Sequence, residues 1–296
     1  MDDLKRYEEL VKTIEYHNDR YYNQDDPEIS DYEYDMMMKE LKKIEKDHPE
    51  FVTPNSPTQH VGGSAKREAG VLVRHRVPML SLQDVFSKEE VQEFVESMQE
   101  TLVDPVFVVE YKIDGLSMAL RYENGLLTTA ITRGDGIIQG EDVTVNAKVI
   151  KDVKNKLKEP IEYLEVRGEV YLTNEAFDKV NEIQELNNKK TFANPRNCAA
   201  GTLRQLDSRI TKQRNLSMFI FNIQDIRGKE ITSHSQGYEY LKIQGMKVID
   251  NYQVCHNFEE VWKAIEMIGE SRDQLGYDID GAVVKIDSYE QRQQLG

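Results

Sequence analysis

The chain has 296 residues, 39% of them hydrophobic and 31% charged, a composition that fits a folded protein of one large domain plus a smaller companion and excludes a disordered tail or a membrane bundle. Lys and Arg (38) against Asp and Glu (53) leave a net charge of -15, the wrong sign for a chain that works mainly by neutralising phosphates along a nucleic acid, so any such grip has to be local or lie elsewhere. The two cysteines, Cys198 and Cys255, stand far apart without a Cys-x-x-Cys spacing, so neither a disulfide framework nor a zinc site is indicated; no apolar run approaches the ~20 residues of a membrane span, the charged start, MDDLKRYEEL, is unlike a secretory signal, and the cytoplasm is expected.

In chain order, Leu4, Tyr7, Leu10, Val11, Ile14 and Tyr21 recur at the three-and-four spacing that predicts an amphipathic helix over residues 2–23. After Pro27, Ser30 and Glu33 form a capping-box pattern, followed by a buried stripe of Tyr34, Met37, Met38, Leu41 and Ile44. Residues 1–65 therefore read as a small helical domain. With Ser30 as N-cap, Asp31, Tyr34 and Asp35 fall on one side of the first turns, a short loop beyond Tyr21 and Tyr22. Tyrosines at helical spacing also suit a core, and acids near a helix start also answer to the helix dipole.

The stretch TPNSPTQHVGGSAK (53–66) is rich in Pro, Ser, Thr and Gly and predicts a linker, so that a second domain spans 66–296. There the runs VFVVEYKI, SMALRYENG, LLTTAITRG, YLEVRGEVYL, MFIFNIQDI and GAVVKID predict strands, with turns at Asp114-Gly115 and Asn124-Gly125 joining the first three. Helices are expected at about 87–100, 174–187 and 258–271, the last with Trp262 as a core residue. The fold class is α+β, an antiparallel-sheet domain preceded by a helical one.

Chemistry concentrates in VFVVEYKIDG. The pleat puts Val106, Val108, Glu110, Lys112 and Asp114 on one face and Phe107, Val109, Tyr111 and Ile113 on the other. The second face is core; the three charges on the first mark either a site or a wet sheet face with a cross-strand ion pair. A lysine amine is a nucleophile only when neutral, and at an ordinary pKa of ~10.4 it rarely is, so a catalytic lysine needs neighbouring cations that disfavour its charge. Arg196 and Arg204, in FANPRNCAAGTLRQLD, and Lys285, in GAVVKI, are the candidates, and they could also bind a phosphate under attack. Alternatively the first segment is a loop leading into a surface helix. An unpaired ammonium inside an apolar run would be costly to bury, which calls for a partner such as phosphate unless Lys285 snorkels from an edge strand. RGDGIIQGED is glycine-rich but lacks the Gly-Lys-Ser/Thr ending of a phosphate-cradling loop, and a hairpin turn suffices.

KIDG (112–115) resembles the nucleotidyl-accepting motif of covalent nucleotidyltransferases. With RGDG (133–136), EVRGE (165–169), FANPRNCAAGTLRQLD (192–207) and DIDGAVVKI (278–286) in the same order, nearly the whole chain resembles NAD-dependent DNA ligases. The resemblance implies an antiparallel nucleotidyltransferase domain, ATP-grasp-like, in which Lys112 attacks the α-phosphorus of the AMP half of NAD, expels nicotinamide mononucleotide and keeps AMP as a phosphoramidate. It implies that Asp114 orients the lysine or the ribose, that Glu110 contacts the adenine end, and that Arg133 and Glu169 contact the ribose. Phe221 would stack on the base, a core Phe being the plainer alternative; Ser81 and Leu82, in PMLSLQDVF, and Arg272 are further nucleotide-binding candidates. Mg²⁺ is implied, held by phosphate oxygens and water rather than by a protein ligand set. The sequence departs from the family pattern by an extra residue within 137–139, by Cys198 and Thr202 for the commoner Ala and Ser, by Asp84 for Asn and by Tyr22 for His.

YYNQDDPEISDYEYD (21–35) is similar to the nicotinamide-binding segment of the NAD-dependent ligases, with Tyr21, Tyr22, Asp31, Tyr34 and Asp35 on the matching positions; a cationic pyridinium can stack on tyrosine while the acids meet its charge and hydroxyls. A helical domain closing over NAD and then swinging away is the expected motion. The resemblance also implies nucleic-acid-binding modules beyond this chain, so that a monomeric fragment would form the AMP adduct yet seal nicked duplex DNA poorly. Two alternatives stay open: a non-catalytic NAD-binding relative, and an ATP- or GTP-using RNA ligase or capping-type enzyme.

Overall fold

The computed structural model describes residues 2–20, 29–53, 56–58, 71–74, 87–133 and 139–295, with Asp31, Val71–Arg74 and Gln139 described in their backbone alone. The elements of the first half are α1 (Asp3–Asn18), α2 (Asp31–Asp47), β1 (Val71–Arg74), α3 (Lys88–Thr101), β2 (Phe107–Ile113), β3 (Leu116–Glu123), β4 (Leu126–Thr132), β5 (Gln139–Asp142) and α4 (Thr144–Ala147). The second half adds β6 (Tyr163–Tyr171), α5 (Asn174–Leu186), α6 (Pro195–Leu203), α7 (Ser208–Gln213), β7 (Ser217–Arg227), α8 (His234–Ile243), β8 (Gln253–Cys255), α9 (Phe258–Ser271), β9 (Ile279–Ile286) and α10 (Tyr289–Leu295). Two compact units emerge, Met1–Ser81 with Arg133–Asp142, and Leu82–Thr132 with Val143–Gly296. The expected boundary at 65/66 falls outside the described residues.

In the first unit Ser30 caps α2, its hydroxyl accepting the Glu33 N–H at 3.1 Å. Tyr7, Leu10 and Ile14 of α1 close on Leu41 of α2, with Val11, Tyr34, Met37, Met38 and Ile44 packed around them, which is the predicted stripe; Leu4, in the first turn, is exposed instead. Glu45 of α2 accepts hydroxyls from Tyr7 (3.0 Å), Ser56 (2.5 Å) and Thr58 (2.7 Å), tying the chain after α2 back to the helix pair. β1 pairs antiparallel with β5.

In the second unit all six predicted strand runs form, as β2, β3, β4, β6, β7 and β9. They do not make one meander. β4, β3, β6 and β7 neighbour one another in that order, whereas β2 lies between β8 and β9 in a separate sheet. Asn124 and Gly125, with φ of 51° and 78°, close a true hairpin between β3 and β4, the left-handed pair that a two-residue turn requires. Asp114-Gly115, expected to do the same, instead carries the chain from one sheet to the other: among the described residues β2 pairs with β8 and β9, and β3 with β4 and β6. Turn chemistry announces a change of direction, not the next pairing partner.

The apolar face of β2 packs Phe107, Val109, Tyr111 and Ile113 against Val91 and Val95 of α3 and Val261, Ala264 and Ile268 of α9. Both helices start on side-chain caps, Ser87 accepting from Glu90 and Asn257 from Glu260, and Trp262 lies partly buried against this core, stacked with Phe258. Among the described residues no helix is long and apolar enough to cross a membrane.

One buried ion pair stitches β3 to β6. Arg121 Nε meets Glu165 Oε1 at 2.6 Å, with side chains only 7% and 2% exposed, and the Tyr163 hydroxyl donates to the same oxygen at 3.3 Å. Arg121→Met would leave an ionised carboxylate in the core and is expected to cost about 3–5 kcal/mol of unfolding free energy in urea titrations. The double change Arg121→Met, Glu165→Leu should recover most of that loss.

Candidate functional site

The cross-strand register of β2 with β9 sets Val108 opposite Lys285, Glu110 opposite Val283 and Lys112 opposite Gly281. Directly paired residues share a sheet face, so Glu110, Lys112 and Lys285 lie together on the face away from the apolar core. Lys112 is half-buried near the end of the strand. The turn that follows it is held from two sides: the Asp114 N–H donates to the Asp278 carbonyl at 3.0 Å, and Arg196 Nε donates to the Gly115 carbonyl at 3.1 Å. Gly115 has to be glycine, because a Cβ there would come within 2.1 Å of the Val170 carbonyl oxygen of β6.

Arg196 comes from α6. Asn194 caps that helix, accepting the Asn197 N–H at 2.8 Å, and Pro195 takes the first position, where its missing N–H costs nothing. Every residue from Arg196 to Leu203 is buried, so FANPRNCAAGTLRQLD is not a loop leading into a surface helix. Its small residues, Cys198, Ala199, Ala200 and Gly201, let the helix sink into the unit, and burial pushes the Cys198 thiol up to about 11. Arg204, at the C-cap of α6, is also buried. Asp114 and Arg272 line a cavity of about 380 Å³ with Asn174, Tyr277, Asp278 and Asp280, and Arg272 Nη2 donates to the Ile279 carbonyl at 2.6 Å.

Lys285 does not stand bare beside Lys112. Its ammonium is ion-paired with Glu110 and donates to the Phe221 carbonyl at 3.2 Å, so the partner that the burial of this lysine demands is a carboxylate of the protein, not phosphate. Glu110 in turn is 1% exposed and is held by the Tyr238 hydroxyl and by His234 Nε2 at 3.3 Å. Burial alone would raise the Glu110 carboxyl, but the charge on Lys285 and the contact with His234 reverse this and hold it at about 2. Burial, reinforced by Lys285, lowers His234 to about 4, leaving the imidazole neutral. The Phe221 ring has Arg167 and Lys285 each 5.2 Å from its centre. It packs partly on the core and partly onto a cavity of about 320 Å³ shared with Arg167, Asn222, Lys285 and Arg292. Glu110, expected from the resemblance at the adenine end, is paired with Lys285, which lines this cavity. Across β3 and β6, Ser117 Oγ donates to Glu169 at 3.0 Å and accepts from Arg167 at 3.3 Å, which fixes the Glu169 carboxylate near the Phe221 cavity's Arg167 wall.

Residues 70–296 match the family described as NAD-dependent DNA ligase adenylation domain. The chain belongs to the NAD-dependent DNA ligase family. Residues 1–62 match the DNA ligase-like, N-terminal NAD⁺-binding domain. The chain is 55% identical over 296 residues to the DNA ligase of Clostridium kluyveri, covering 100% of this chain and 44% of that protein. It is 50% identical over 297 residues to the DNA ligase of Acetivibrio thermocellus, with the same 100% and 44% coverage, and 46% identical over 288 residues to that of Clostridioides difficile, covering 97% and 42%. It thus spans less than half the length of the curated relatives it matches.

Arg133, expected at the ribose, has its guanidinium 2.7 Å from Asp35, both within the first unit and not in the unit that carries Lys112. Tyr34 donates its hydroxyl to Asn18 at 2.7 Å. Tyr21, Tyr22, Ser81, Leu82, Asp84 and residues 137 and 138 of the extra-residue segment lie outside the described residues, as does the Asp31 side chain. His234 and Tyr238 escaped the sequence reading, although Ser233, which accepts the Gln236 N–H, begins a cap pattern that would have placed them one turn apart on a helix.

A pH dependence follows from His234. In the unfolded chain its imidazole titrates near 6.5, in the folded unit near 4, so unfolding takes up a proton between these values. The stability that this ring contributes is full above pH 6.5 and is lost as pH falls towards 4, by up to about 3 kcal/mol. Urea midpoints measured from pH 7 to pH 4 should fall in the unsubstituted chain and fall less in His234→Gln.

Proposed function

We propose that this chain carries out the self-adenylation that begins nick sealing. Lys112 Nζ attacks the α-phosphorus of NAD; the bond from that phosphorus to the bridging oxygen breaks, nicotinamide mononucleotide leaves with the oxygen, and AMP remains on Nζ as a phosphoramidate. The observation that carries the reading is the clamp between Arg196 and the Gly115 carbonyl, which ties a cationic helix start to the turn directly after the lysine. Preorganised cations aimed at developing phosphoryl charge are the largest catalytic contribution available to such a site, and Arg196, Arg204 and Arg272 fill that role.

The base enters the space walled by Phe221, Arg167 and Lys285, and the ribose meets Glu169, with Asp114 orienting the lysine or the ribose. The second unit is a nucleotidyltransferase fold, and the division is a nicotinamide mononucleotide-binding segment over 1–65 and an adenylation segment over 66–296. Support for the former is the family match of residues 1–62, with the acids and tyrosines of 21–35 assigned to the mononucleotide. Mg²⁺ would neutralise phosphate charge, held mainly by phosphate oxygens and water; among the described residues no group of three or more Asp, Glu, His or Cys side chains is placed to hold a metal ion. The adenylated protein then hands AMP to nicked duplex DNA, gripped mainly by modules of the whole ligase other than these two units.

Intact-mass measurement after incubation with NAD and Mg²⁺ tests this. The chain should gain one AMP from NAD and none from ATP, Lys112→Ala should gain none, and Arg196→Ala should form the adduct about 100-fold or more slowly. No adduct in the unsubstituted chain, or an adduct that survives Lys112→Ala, would contradict the assignment.

A further inference from the structure

The Lys285 ammonium at the wall of the Phe221 cavity is locked from behind by more than its ion pair. One Glu110 oxygen takes Lys285; the other takes both His234 and Tyr238, which stand four residues apart on α8 and so reach the carboxylate from one helix face. The Tyr238 oxygen also lies 2.8 Å from the Phe221 carbonyl, the group that receives the second Lys285 hydrogen bond. The start of α8 is itself fastened to the end of β9. The His234 N–H donates to the Asp287 carbonyl at 2.8 Å, and the Asp287 carboxylate accepts the Ser235 N–H and hydroxyl, each at 2.8 Å. Asp287 is two residues from Lys285, so strand, helix and ammonium form one closed ring of contacts. His234 and Tyr238 are both about 1% exposed and line neither of the two cavities described above; their reach towards the Phe221 cavity runs through Glu110 and Lys285.

A pinned ammonium is a donor and never an acceptor. On the edge of adenine it can meet a bare ring nitrogen. On a 6-oxopurine the corresponding position carries N–H, and a donor held in place opposes it, whereas a donor free to swing can move to the neighbouring oxo group. Discrimination therefore requires the lock as well as the lysine.

Resting on the adenylation reading above, we infer that His234 and Tyr238 are positioning residues that set the preference for adenine over 6-oxopurine dinucleotides by locking the Glu110–Lys285 pair at the base cavity. The test compares kcat/KM for adduct formation by the whole chain with NAD and with nicotinamide hypoxanthine dinucleotide. The unsubstituted chain should favour NAD. Tyr238→Phe, which removes one hydrogen bond to a charged group, should shrink that preference about tenfold, mainly through a higher KM for NAD. His234→Ala should shrink it as well, His234→Gln, which keeps a donor, should restore most of it, and either series suffices if one variant does not fold. If both dinucleotides slow by the same factor, the two residues merely hold the fold and the inference is overturned; so too if the unsubstituted chain shows no preference. An absence of any adduct from either dinucleotide would instead sink the adenylation reading itself.

Discussion

The ion pair between Glu110 and Lys285 is the constraint on which the second unit's site is built. Two charges taken out of water are tolerated only when each is matched and the remaining hydrogen-bonding positions are filled. Here the match recruits elements far apart in sequence: the carboxylate from β2, the ammonium from β9, a carbonyl from β7, and the imidazole and phenol of α8. Removing either charge would strand the other, so the pair fixes where β9 lies along β2 and where α8 docks. Position 112, two residues beyond Glu110 on the same face, inherits its setting from that register.

A second fastening completes the arrangement at the other end of β2. Because Gly115 passes so close to the Val170 carbonyl of β6, and because Arg196 holds the Gly115 carbonyl, the chain leaves one sheet and enters the other with Lys112 at the crossing. The two fastenings divide labour. Under the proposed function the arginine at the crossing serves phosphate chemistry, while Lys285, paired with Glu110, serves the base end. Tyrosine and imidazole neighbours suit that second task, since they pin the pair without adding charge to it.

Much of this was legible in the sequence, and for identifiable reasons. The period of two in VFVVEYKIDG picks out the core face, because Phe107, Val109, Tyr111 and Ile113 leave no other choice. The helices α3, α5 and α9 were placed within a residue or two because their cap residues and apolar spacing agree. What the sequence conceals is partnership at a distance. It showed that Lys285 needs an anion but not that Glu110 supplies it, and it showed a turn at Asp114-Gly115 but not that the strands on either side belong to different sheets. α6 was hard to see as a buried helix because Cys198, Ala199, Ala200 and Gly201 carry almost no amphipathic signal, and α8 because it is short and interrupted by Gly237. The contact of Arg133 with Asp35, a matter of tertiary placement, is not visible in the sequence either.

A crystal structure of the AMP adduct tests the division of labour most directly. The account predicts continuous density from Lys112 Nζ to phosphorus beside Arg196, the base against the Phe221 ring, and Lys285 still bonded to Glu110. Lys285 released from Glu110 and seated on the phosphate, with the base elsewhere, would contradict it.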